Sequence, residues 1–399
     1  MGTDKIYLDN AATTNIGPEV LNAMMNVYNN VYGNSSSLHS FGREASNMVD
    51  DSRDTIAKLI GAKSNEIYFT GSGSEANNWA IIGLAYANQG KGYHIITSKI
   101  EHPSVLEACK YLESNGFEVT YLDVDRHGFV NFAQLLGAIK PTTILISIMS
   151  ANNELGTIQN LKAIAHTAHE NGILFHTDAV QLFGHMQIDV EDLELDAMSI
   201  SAHKLYGPKG VGALYVSNKV KIQPLIHGGN QERGRRAGTT NTAGVVGFAK
   251  ASEVAYRDIR TNNAKLRALS EYFVTQLTAN IENIIINGNT RQKLPHIISV
   301  SFVGVDGESL LMKLDLNGVA VSTGSACSTN SLTVSHVMTA IGLSNEDARS
   351  AVRFSLGKNN SYEEIDAAIA IIKRAVEELR AYSSTYGMKT RKRKGGNNA

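Results

Sequence analysis

The sequence predicts an α/β protein, with a mainly parallel seven-stranded sheet in a large domain and a smaller α+β C-terminal domain. Between residues 65 and 216, seven short apolar runs alternate with helical patterns, and they lie near 66–70, 93–98, 117–122, 143–149, 173–178, 196–201 and 211–216. This alternation is typical of a parallel sheet that binds ligands at the carboxyl ends of its strands. A long helical region at 241–281 separates these runs from a second, shorter set of strands.

That second set predicts the smaller domain. Its elements are strands near 296–303, 319–322 and 351–356 and a closing helix at about 362–381. We therefore expect a large domain over 16–260 and a small domain over 261–382. The last residues, 383–399, are basic and contain glycine near their end, which predicts a disordered, solvated tail.

Composition and charge limit the classes of protein to consider. A chain of 399 residues can bury a large core, and its 37 basic and 38 acidic residues give no reason to expect nucleic acid as the main ligand. Two cysteines leave little room for a disulfide framework or a zinc ribbon, and we expect no metal. The charged N-terminus precedes no long apolar run and no stretch reaches membrane-spanning length, so we expect a cytoplasmic protein.

Lys204 is the residue on which the chemical prediction rests. It follows the apolar run at 196–201 and precedes a Gly/Pro turn, so that the hydroxyl of Ser201, the imidazole of His203 and a glycine surround it. A lysine that is short of water among hydrogen-bonding groups can act as an amine and condense with an aldehyde. We expect pyridoxal 5′-phosphate as that aldehyde. The alternative is an ordinary surface lysine in a turn.

Asp178 ends the apolar run at 173–178, where parallel strands present their functional residues. Pyridoxal chemistry needs an acid beside the pyridine nitrogen, because the protonated ring then accepts the electrons of a carbanion. The sequence therefore predicts Asp178 as that acid. The alternative is a helix N-cap for the segment that follows.

A phosphate cradle is predicted at the start of the next helical pattern. The run at 66–70 leads into Gly71, Ser72, Gly73 and Ser74, where backbone N–H groups, the Ser74 hydroxyl and a helix N-terminus favour an anion. The segment has neither a Walker lysine nor the spacing of a dinucleotide fingerprint. The alternative is a plain capped helix.

Two further strand ends carry groups suited to a pyridine ring and its substrate. His102 follows the run at 93–98, and an imidazole there can lie on the ring and shuttle protons, or simply cap a helix. Asn152 and Asn153 follow the run at 143–149, and their amides suit a phenolic oxygen or a substrate carboxylate.

Nearly the whole chain, from residues 7–14 to about Arg380, resembles the NifS/IscS-type cysteine desulfurases. These belong to the class V aminotransferase family of fold-type I PLP-dependent (pyridoxal-phosphate) transferases. The shared motifs are Asn-Asn-Glu at 152–154, His-x-Asp-Ala-x-Gln at 176–181, Ser-Ala-His-Lys at 201–204, Arg-Arg-Ala-Gly-Thr-Thr at 235–240, Gly-Ser-Ala-Cys-Ser at 324–328 and Val-Arg-Phe-Ser-Leu-Gly at 352–357. The resemblance also implies that residues 1–15 join the small domain.

The resemblance implies a role for each matching residue. Lys204 is similar to the Schiff-base lysine, Asp178 to the partner of the pyridine nitrogen, and His102 to the catalytic histidine that stacks on the ring. Other cofactor contacts are implied for residues of the surrounding loops and turns: Gly73, Ser74, Asn153, Val180, Gln181, Ser201, His203 and Thr239. Because Thr239 matches a phosphate ligand that the second subunit donates, the resemblance implies a homodimer.

Asn153 and Arg353 match the residues that grip the amino-acid substrate. The chemistry agrees for Arg353, since a planar guanidinium makes a bidentate pair with a carboxylate better than lysine does. A structural ion pair at a strand edge is the alternative interpretation of Arg353.

Cys327 distinguishes between the possible reactions. It lies in the small, polar, loop-like stretch at 322–331, which is typical of a mobile nucleophile, although an incidental loop cysteine is the alternative. Cys109 lies in a helical pattern where cysteine packs as a small apolar residue. The surroundings of Cys327 and the long loop before His336 resemble the NifS/IscS group and not the short-loop group.

The implied activity takes sulfur from L-cysteine, releases L-alanine and leaves a persulfide on Cys327. The sulfur acceptor stays open between an iron–sulfur scaffold and a tRNA-thiolation carrier, because the basic tail departs from the family's pattern. Two other functions also stay open, since fold alone does not decide function. One is a selenocysteine lyase or aminotransferase, which does not need Cys327. The other is a non-catalytic accessory subunit.

Overall fold

The structure is a computed structural model, and it describes residues 5–323 and 334–382. Its helices, α1 to α12, are Pro18–Asn30, Ser40–Leu59, Gly73–Asn88, Pro103–Glu113, Phe132–Ala138, Leu161–Glu170, Thr242–Arg257, Ile259–Asn280, Gly307–Leu316, His336–Ala340, Asn345–Arg349 and Tyr362–Ala381. Its strands, β1 to β12, are Ile6–Tyr7, Ile67–Thr70, His94–Ser98, Glu118–Leu122, Thr143–Ser147, Leu174–Asp178, Ala197–Ser201, Gly212–Val216, Ile284–Asn287, Ile297–Phe302, Val319–Ala320 and Ala351–Ser355.

The seven predicted strands of the large domain form one sheet, in the order β2-β8-β7-β6-β5-β3-β4. Strand β8 is antiparallel to β2 and β7, and the other pairs are parallel. The mainly parallel α/β fold expected from the sequence is therefore confirmed. Because all strands except β8 run in one direction, their carboxyl ends meet at one edge, where Asp178 lies opposite Ser199.

Burial on both faces explains why these strands have continuous apolar runs. Every residue of β3, β5 and β7 is buried. Successive residues of β3 enter different cores: Ile95 packs in the cluster of Trp79, and Ile96 packs in the cluster of Ile164. Side chains of a strand alternate between its two faces, so a sheet that is covered on both sides needs apolar residues at successive positions.

Polar side chains cap the N-termini of the helices that follow three of these strands. The side chains of Ser72, His102 and Asn160 accept hydrogen bonds from backbone N–H groups in the first turns of α3, α4 and α6. Each cap satisfies a donor that has no partner within its helix. Ser72 and His102 come directly after β2 and β3, so both caps lie at the carboxyl edge of the sheet.

The remaining strands form two small sheets, an antiparallel one in the order β12-β10-β9 and a parallel pair of β1 with β11. They share a separate core with α8, α9 and α12, in which Phe273, Phe302 and Phe354 are fully buried. Ile6 and Leu8 pack in this core as well. Strand β9 was not predicted from the sequence, and three of its four residues are only partly buried.

We propose that the chain divides into domains as the sequence suggests, with 1–15 and 261–382 in the small domain. The separation of the two cores supports a boundary near residue 260, and the tail at 383–399 lies outside the described residues. None of the helices within the described ranges is long and apolar enough to cross a bilayer.

Candidate active site

A cleft of about 370 Å³ lies at the carboxyl edge of the large sheet. Most of the residues that the sequence singled out line it: Gly73, Ser74, His102, Asn153, Asp178, Val180, Gln181, Ser201, His203, Lys204 and Arg353. Arg353 comes from β12 of the small domain, and the others come from loops and strand ends of the large one. The cleft therefore brings together groups from two cores.

Lys204 ends a short 3₁₀ turn after β7 and is partly buried. Its Nζ donates to the backbone carbonyls of Ala11 and Ala12, at 2.7 Å each. Gln181 Nε2 donates to the same Ala11 carbonyl at 3.0 Å. The amine is therefore held against the N-terminal segment of the chain, which is not the setting of an ordinary surface lysine.

Asp178 is buried at the end of β6, where both oxygens of its carboxylate accept hydrogen bonds. Oδ2 accepts from Asn77 Nδ2 at 2.6 Å, and Oδ1 accepts from the backbone N–H of Val180 at 2.9 Å. Turns follow Asp178 instead of a helix, so the alternative of a helix N-cap is wrong. Hydrogen bonds to both oxygens fix the carboxylate in one orientation.

The segment after β2 combines a helix cap with an open helix N-terminus. Ser72 is the N-cap of α3, and its hydroxyl accepts from the N–H of Glu75 at 3.1 Å. Gly73 is the first helical residue, and a Cβ atom there would lie 2.7 Å from Val180 Cγ2 and 3.3 Å from Ser201 Cβ. Only glycine therefore lets these elements approach so closely. Ser74 is exposed and lines the cleft.

His102 caps a helix and also lines the cleft, and its role at a cofactor ring stays a prediction. Its Nδ1 accepts from the N–H of Ser104 at 3.1 Å as the cap of α4, while the residue lines the cleft. Burial is the main cause that lowers the pKa of His102, and Lys204 and His336 lower it further against the opposing effect of Asp178. A neutral ring with Nδ1 as acceptor carries its proton on Nε2.

His203, next to Lys204, is also shifted towards the neutral form. Burial lowers its pKa to about 4, with further contributions from Lys204 and Lys209. Its Nδ1 lies 3.2 Å from the hydroxyl of Thr13, another residue of the N-terminal segment. Two neutral imidazoles therefore border the lysine.

Arg353 is buried in β12 and already has two partners. Its Nη2 donates to Asp9 Oδ1 at 2.8 Å, and its Nη1 donates to the backbone carbonyl of Asn153 at 3.0 Å. Its Nε has no partner within the described residues. The structural ion pair weighed from the sequence is present, and the same side chain also lines the cleft.

Thr239 lies outside the cleft of its own chain. It is exposed and lines a different pocket, together with Gly71 and Arg236. Arg236 donates two hydrogen bonds, in a bidentate pair, to the carboxylate of Glu75 in the first turn of α3. The position of Thr239 therefore gives it no contact with the cleft lined by Lys204 of the same chain.

Cys327 lies outside the described residues, but both flanks of its segment are described. Ser322 exchanges backbone hydrogen bonds with Arg353, at 3.2 and 2.7 Å. Ser335 donates its hydroxyl to the buried carboxylate of Glu154 at 2.7 Å. Cys109 is fully buried in α4, and burial raises the pKa of its thiol to about 12, so the prediction that it packs in a helix is confirmed.

The sequence interpretation missed Asn77, Asp9 and Glu101 as parts of the site. Asn77 lies four residues after Gly73 and hence on the same face of α3. That spacing is the signal that could have identified it. Asp9 gave no comparable signal, since its partner Arg353 is distant in sequence, and Glu101 bonds both to the nearby Ser98 and to the distant Met149.

Comparisons with known proteins identify relatives of this chain. The model of the aminotransferase class-V family matches residues 6–368. The cysteine desulfurase IscS of Dictyoglomus turgidum is 50% identical over 379 residues, which cover 95% of this chain and 96% of that protein.

Two solved structures are also similar. A NifS-like protein has a TM-score of 0.89 at 38% identity, covering 94% of this chain and 100% of that one. A structure described as SspA in complex with cysteine has a TM-score of 0.79 at 39% identity, covering 89% and 100%. With a family match over most of the chain and relatives that are similar along nearly their whole length, the chain belongs to the class-V aminotransferase family, among the cysteine desulfurases of the NifS/IscS type.

Proposed function

We propose that this chain is a pyridoxal-phosphate-dependent cysteine desulfurase that converts L-cysteine to L-alanine and keeps the sulfur as a persulfide on Cys327. The observation that carries the proposal is the convergence of Lys204, Asp178, His102 and Arg353 on one cleft. Together they offer an amine, a fixed carboxylate, a neutral imidazole and a guanidinium. This set suits an amino-acid substrate held beside an aldehyde cofactor.

The cleft fits pyridoxal phosphate. Gly73 leaves space at the N-terminus of α3, where backbone N–H groups favour an anion. Asn77 holds Asp178 and retains a buried Oδ1 that has no partner in the described part of the chain. The cofactor would be held by residues around the whole cleft: Gly73, Ser74, His102, Asn153, Asp178, Val180, Gln181, Ser201, His203 and, by a covalent bond to its aldehyde, Lys204.

The chemistry that the bound cofactor supplies is a protonated pyridine ring that stabilises negative charge at the substrate Cα. The role of Asp178 is to keep a negative charge beside that ring. Its two hydrogen bonds, from Asn77 and from the Val180 N–H, fix the direction of the carboxylate.

Lys204 is the residue that we propose to move the α-proton. Its Nζ is held by two carbonyl acceptors, those of Ala11 and Ala12, so the amine has a defined position at the floor of the cleft. A fixed amine can take a proton from Cα and return it at the same place. His102 lines the same cleft, and its lowered pKa leaves the ring neutral, so it can exchange protons there through Nε2.

Arg353 and Asn153 orient the substrate. The backbone carbonyl of Asn153 and the carboxylate of Asp9 each accept from one nitrogen of the guanidinium, which holds the fork in one plane. A substrate carboxylate on this fork would direct its α-proton towards Lys204. Orientation of this kind can lower a barrier by several kcal/mol, and by about 7–11 kcal/mol in the best-aligned intramolecular reactions.

Cys327 receives the sulfur in this proposal. Its thiolate attacks the sulfur of the substrate, and a new S–S bond forms. The carbon–sulfur bond of the substrate breaks, its electron pair stays on the carbon, and that carbon takes up a proton to give alanine. The segment that carries Cys327 is anchored at Ser322 to Arg353 and at Ser335 to Glu154, which supports its delivery to the same cleft. The final acceptor would be a carrier protein, such as an iron–sulfur scaffold or a tRNA-thiolation carrier.

Two further parts of the proposal concern assembly and location. Thr239 does not reach the cleft of its own chain, which supports a homodimer in which each chain completes the site of the other. We also propose that the enzyme acts in the cytoplasm, in line with its few cysteines.

The direct test uses the purified protein with pyridoxal phosphate and L-cysteine. We expect alanine to accumulate and a mass increase of one sulfur atom to map to Cys327. Alanine formation from selenocysteine alone, or amino-group transfer to a keto acid without sulfur release, would instead support a lyase or an aminotransferase. A protein that binds no cofactor and turns over no amino acid would support an accessory subunit.

A further inference from the structure

Two histidine rings stack beside the active-site lysine, outside the cleft. The rings of His185 and His296 lie 4.2 Å apart at an angle of 24°. They line a small second cavity, and Lys204, Asn263 and Lys358 also contribute to its walls. Neither histidine lines the cleft that holds the proposed substrate and cofactor contacts.

The first ring is anchored to the segment of Lys204. His185 follows Gly184, whose φ of +81° is accessible to glycine, and a Cβ atom there would lie 3.1 Å from Leu205 Cβ. The His185 ring is also hydrogen-bonded to the backbone of Lys204. Asn263 of α8 anchors the backbone of His185, since its Nδ2 donates to the His185 carbonyl at 2.6 Å.

The second ring is anchored to the strand of Arg353. The backbone carbonyl of His296 accepts from the N–H of Leu356 at 2.9 Å, directly after β12. The strand that begins one residue later, β10, pairs with β12 so that Ser299 lies opposite Arg353. His296 is only 2% exposed, and its Nδ1 has no partner within the described residues.

Burial keeps both rings neutral near pH 7, and nearby cations add to this effect at His296. Burial lowers the pKa of His185 to about 4. The pKa of His296 lies well below its usual value, because of burial and of the neighbouring His185, Lys293 and Arg353. Two uncharged rings can stack without electrostatic repulsion, so the contact is stable where the enzyme works.

We propose that His185 and His296 form a positioning pair that sets the place of Lys204 relative to Arg353. One ring contacts the backbone of the lysine that moves the α-proton, and the other belongs to the strand pair that carries the guanidinium for the substrate carboxylate. The pair contacts neither substrate nor cofactor. This inference rests on the proposed function, because the separation of the two groups matters only if both act on one substrate.

The test removes the ring contact and then restores it. His296→Ala should lower kcat for alanine formation about tenfold with little change in KM, since small misplacements of reacting groups are costly. His296→Phe restores a flat ring at the contact with His185, so it should recover most of kcat. His185→Ala and the double variant should lose no more than His296→Ala alone, because residues that act as one unit are non-additive.

A matched control separates position from stability. His94 is fully buried at the opposite end of the sheet, bonded to the hydroxyls of Thr143 and Thr120 at 2.7 and 2.8 Å. His94→Ala should lower the melting temperature without affecting kcat. The second readout is the pH midpoint of the visible absorbance of cofactor bound to Lys204, which should shift in His296→Ala and stay unchanged in His94→Ala.

Two results would overturn the positioning pair. One is a His296→Ala variant whose kcat and absorbance midpoint match those of His94→Ala. The other is a double variant whose losses are the product of the single losses. If His296→Ala does not fold, His296→Leu compared with His296→Phe makes the same test, because both fill the space and only one keeps the ring. The absorbance midpoint does not depend on the substrate, so a failed desulfurase assay leaves this test intact.

Discussion

Asn77 Nδ2 donates to Asp178 Oδ2 across 2.6 Å, and the same amide nitrogen donates to the Ser104 hydroxyl at 2.9 Å. Ser104 in turn contacts Nδ1 of His102, so one amide on α3 joins the carboxylate to the histidine. Two groups that we expect to contact different parts of the cofactor are therefore held by a single side chain. This network was not evident from the sequence.

The first prediction concerns that amide. Asn77→Ala should lower kcat about tenfold, because a hydrogen bond to a charged group is lost. Asn77→Asp should be worse, since a second carboxylate beside Asp178 disfavours its ionised form. Asn78→Ala is the control, because in the described part of the chain the Asn78 side chain bonds only to the backbone carbonyls of Ser74 and Ser104. Steady-state kinetics with L-cysteine as the substrate measure this effect. Equal kcat values for the Asn77 and Asn78 variants would contradict the role of the Asn77 amide.

The second prediction concerns the attachment of the cofactor. Lys204→Ala should abolish the visible absorbance of bound pyridoxal phosphate, although contacts around the phosphate can still retain some cofactor. Lys209→Ala, an exposed lysine in the same turn, should keep the wild-type spectrum. Borohydride reduction followed by peptide mapping checks the position. A normal spectrum in the Lys204 variant, with reduction trapped on another lysine, would refute the assignment.

The third prediction separates the two cysteines. Cys327→Ser should keep the fold, the colour and the spectral change on adding cysteine, but it should stop release of alanine and sulfide, because a serine oxygen cannot carry a persulfide. Cys109→Ser should cost stability at most, since Cys109 is fully buried in α4. Alanine assays and persulfide mass mapping test both variants. A persulfide on Cys109, or a wild-type rate without Cys327, would rule out the mechanism.

The fourth prediction concerns the subunits. We expect a homodimer by light scattering, and Thr239→Val should raise the dissociation constant of the cofactor about tenfold through loss of one hydrogen bond to a charged phosphate. Mixed dimers of Lys204→Ala with Thr239→Val chains should regain one intact site, because its two halves come from different chains. A fully active monomer, or mixtures that show no recovery, would disprove the shared site.

The fifth prediction concerns Glu101, which is buried and accepts from the Ser98 hydroxyl and the Met149 N–H at 2.6 and 2.9 Å. Burial raises its pKa to about 8 from a reference value of 4.5. A raised pKa contributes stability that is fully present below pH 4.5 and is lost as the pH rises towards 8. Between these values, the stability of the wild type relative to Glu101→Gln should fall by about 1.4 kcal/mol per pH unit.

Urea unfolding of both proteins at pH 5.5 and 7.5 measures that difference. Glu107→Gln is the control, since Glu107 is exposed on α4 and should give no comparable slope relative to the wild type. Parallel pH dependences for the wild type and Glu101→Gln would show that the carboxyl is not held in its protonated form.

The large sheet could be predicted because its signal is local. Strands β3, β5 and β7 are buried on both faces, so each leaves an apolar run that needs no tertiary information. The direction of β8 could not be predicted, since an apolar run does not encode whether its neighbours are parallel. Strand β9 was missed because its partial burial leaves a weaker pattern.

The site shows the same division between local and distant information. Asp178, His102 and Lys204 follow strand ends, and the topology of a parallel sheet brings such residues to one edge. The stacked His185 and His296 are placed by contacts between distant segments, which spacing alone does not reveal. The roles of the residues in the cleft and of Thr239 stay predictions until the variants are measured, and Cys327 lies outside the described residues.

The docking of the N-terminal segment has a consequence for synthesis. Asp9 pairs with Arg353, the N–H of Asn10 donates to the Ser355 carbonyl, and the N–H of Thr14 donates to the His203 carbonyl. Residues 9–14 are therefore translated long before their last partners, an interval of tens of seconds at roughly 5–20 residues per second. A ribosome-bound nascent chain can complete the sheet early, yet the amine of Lys204 acquires its final surroundings only when β12 has been made.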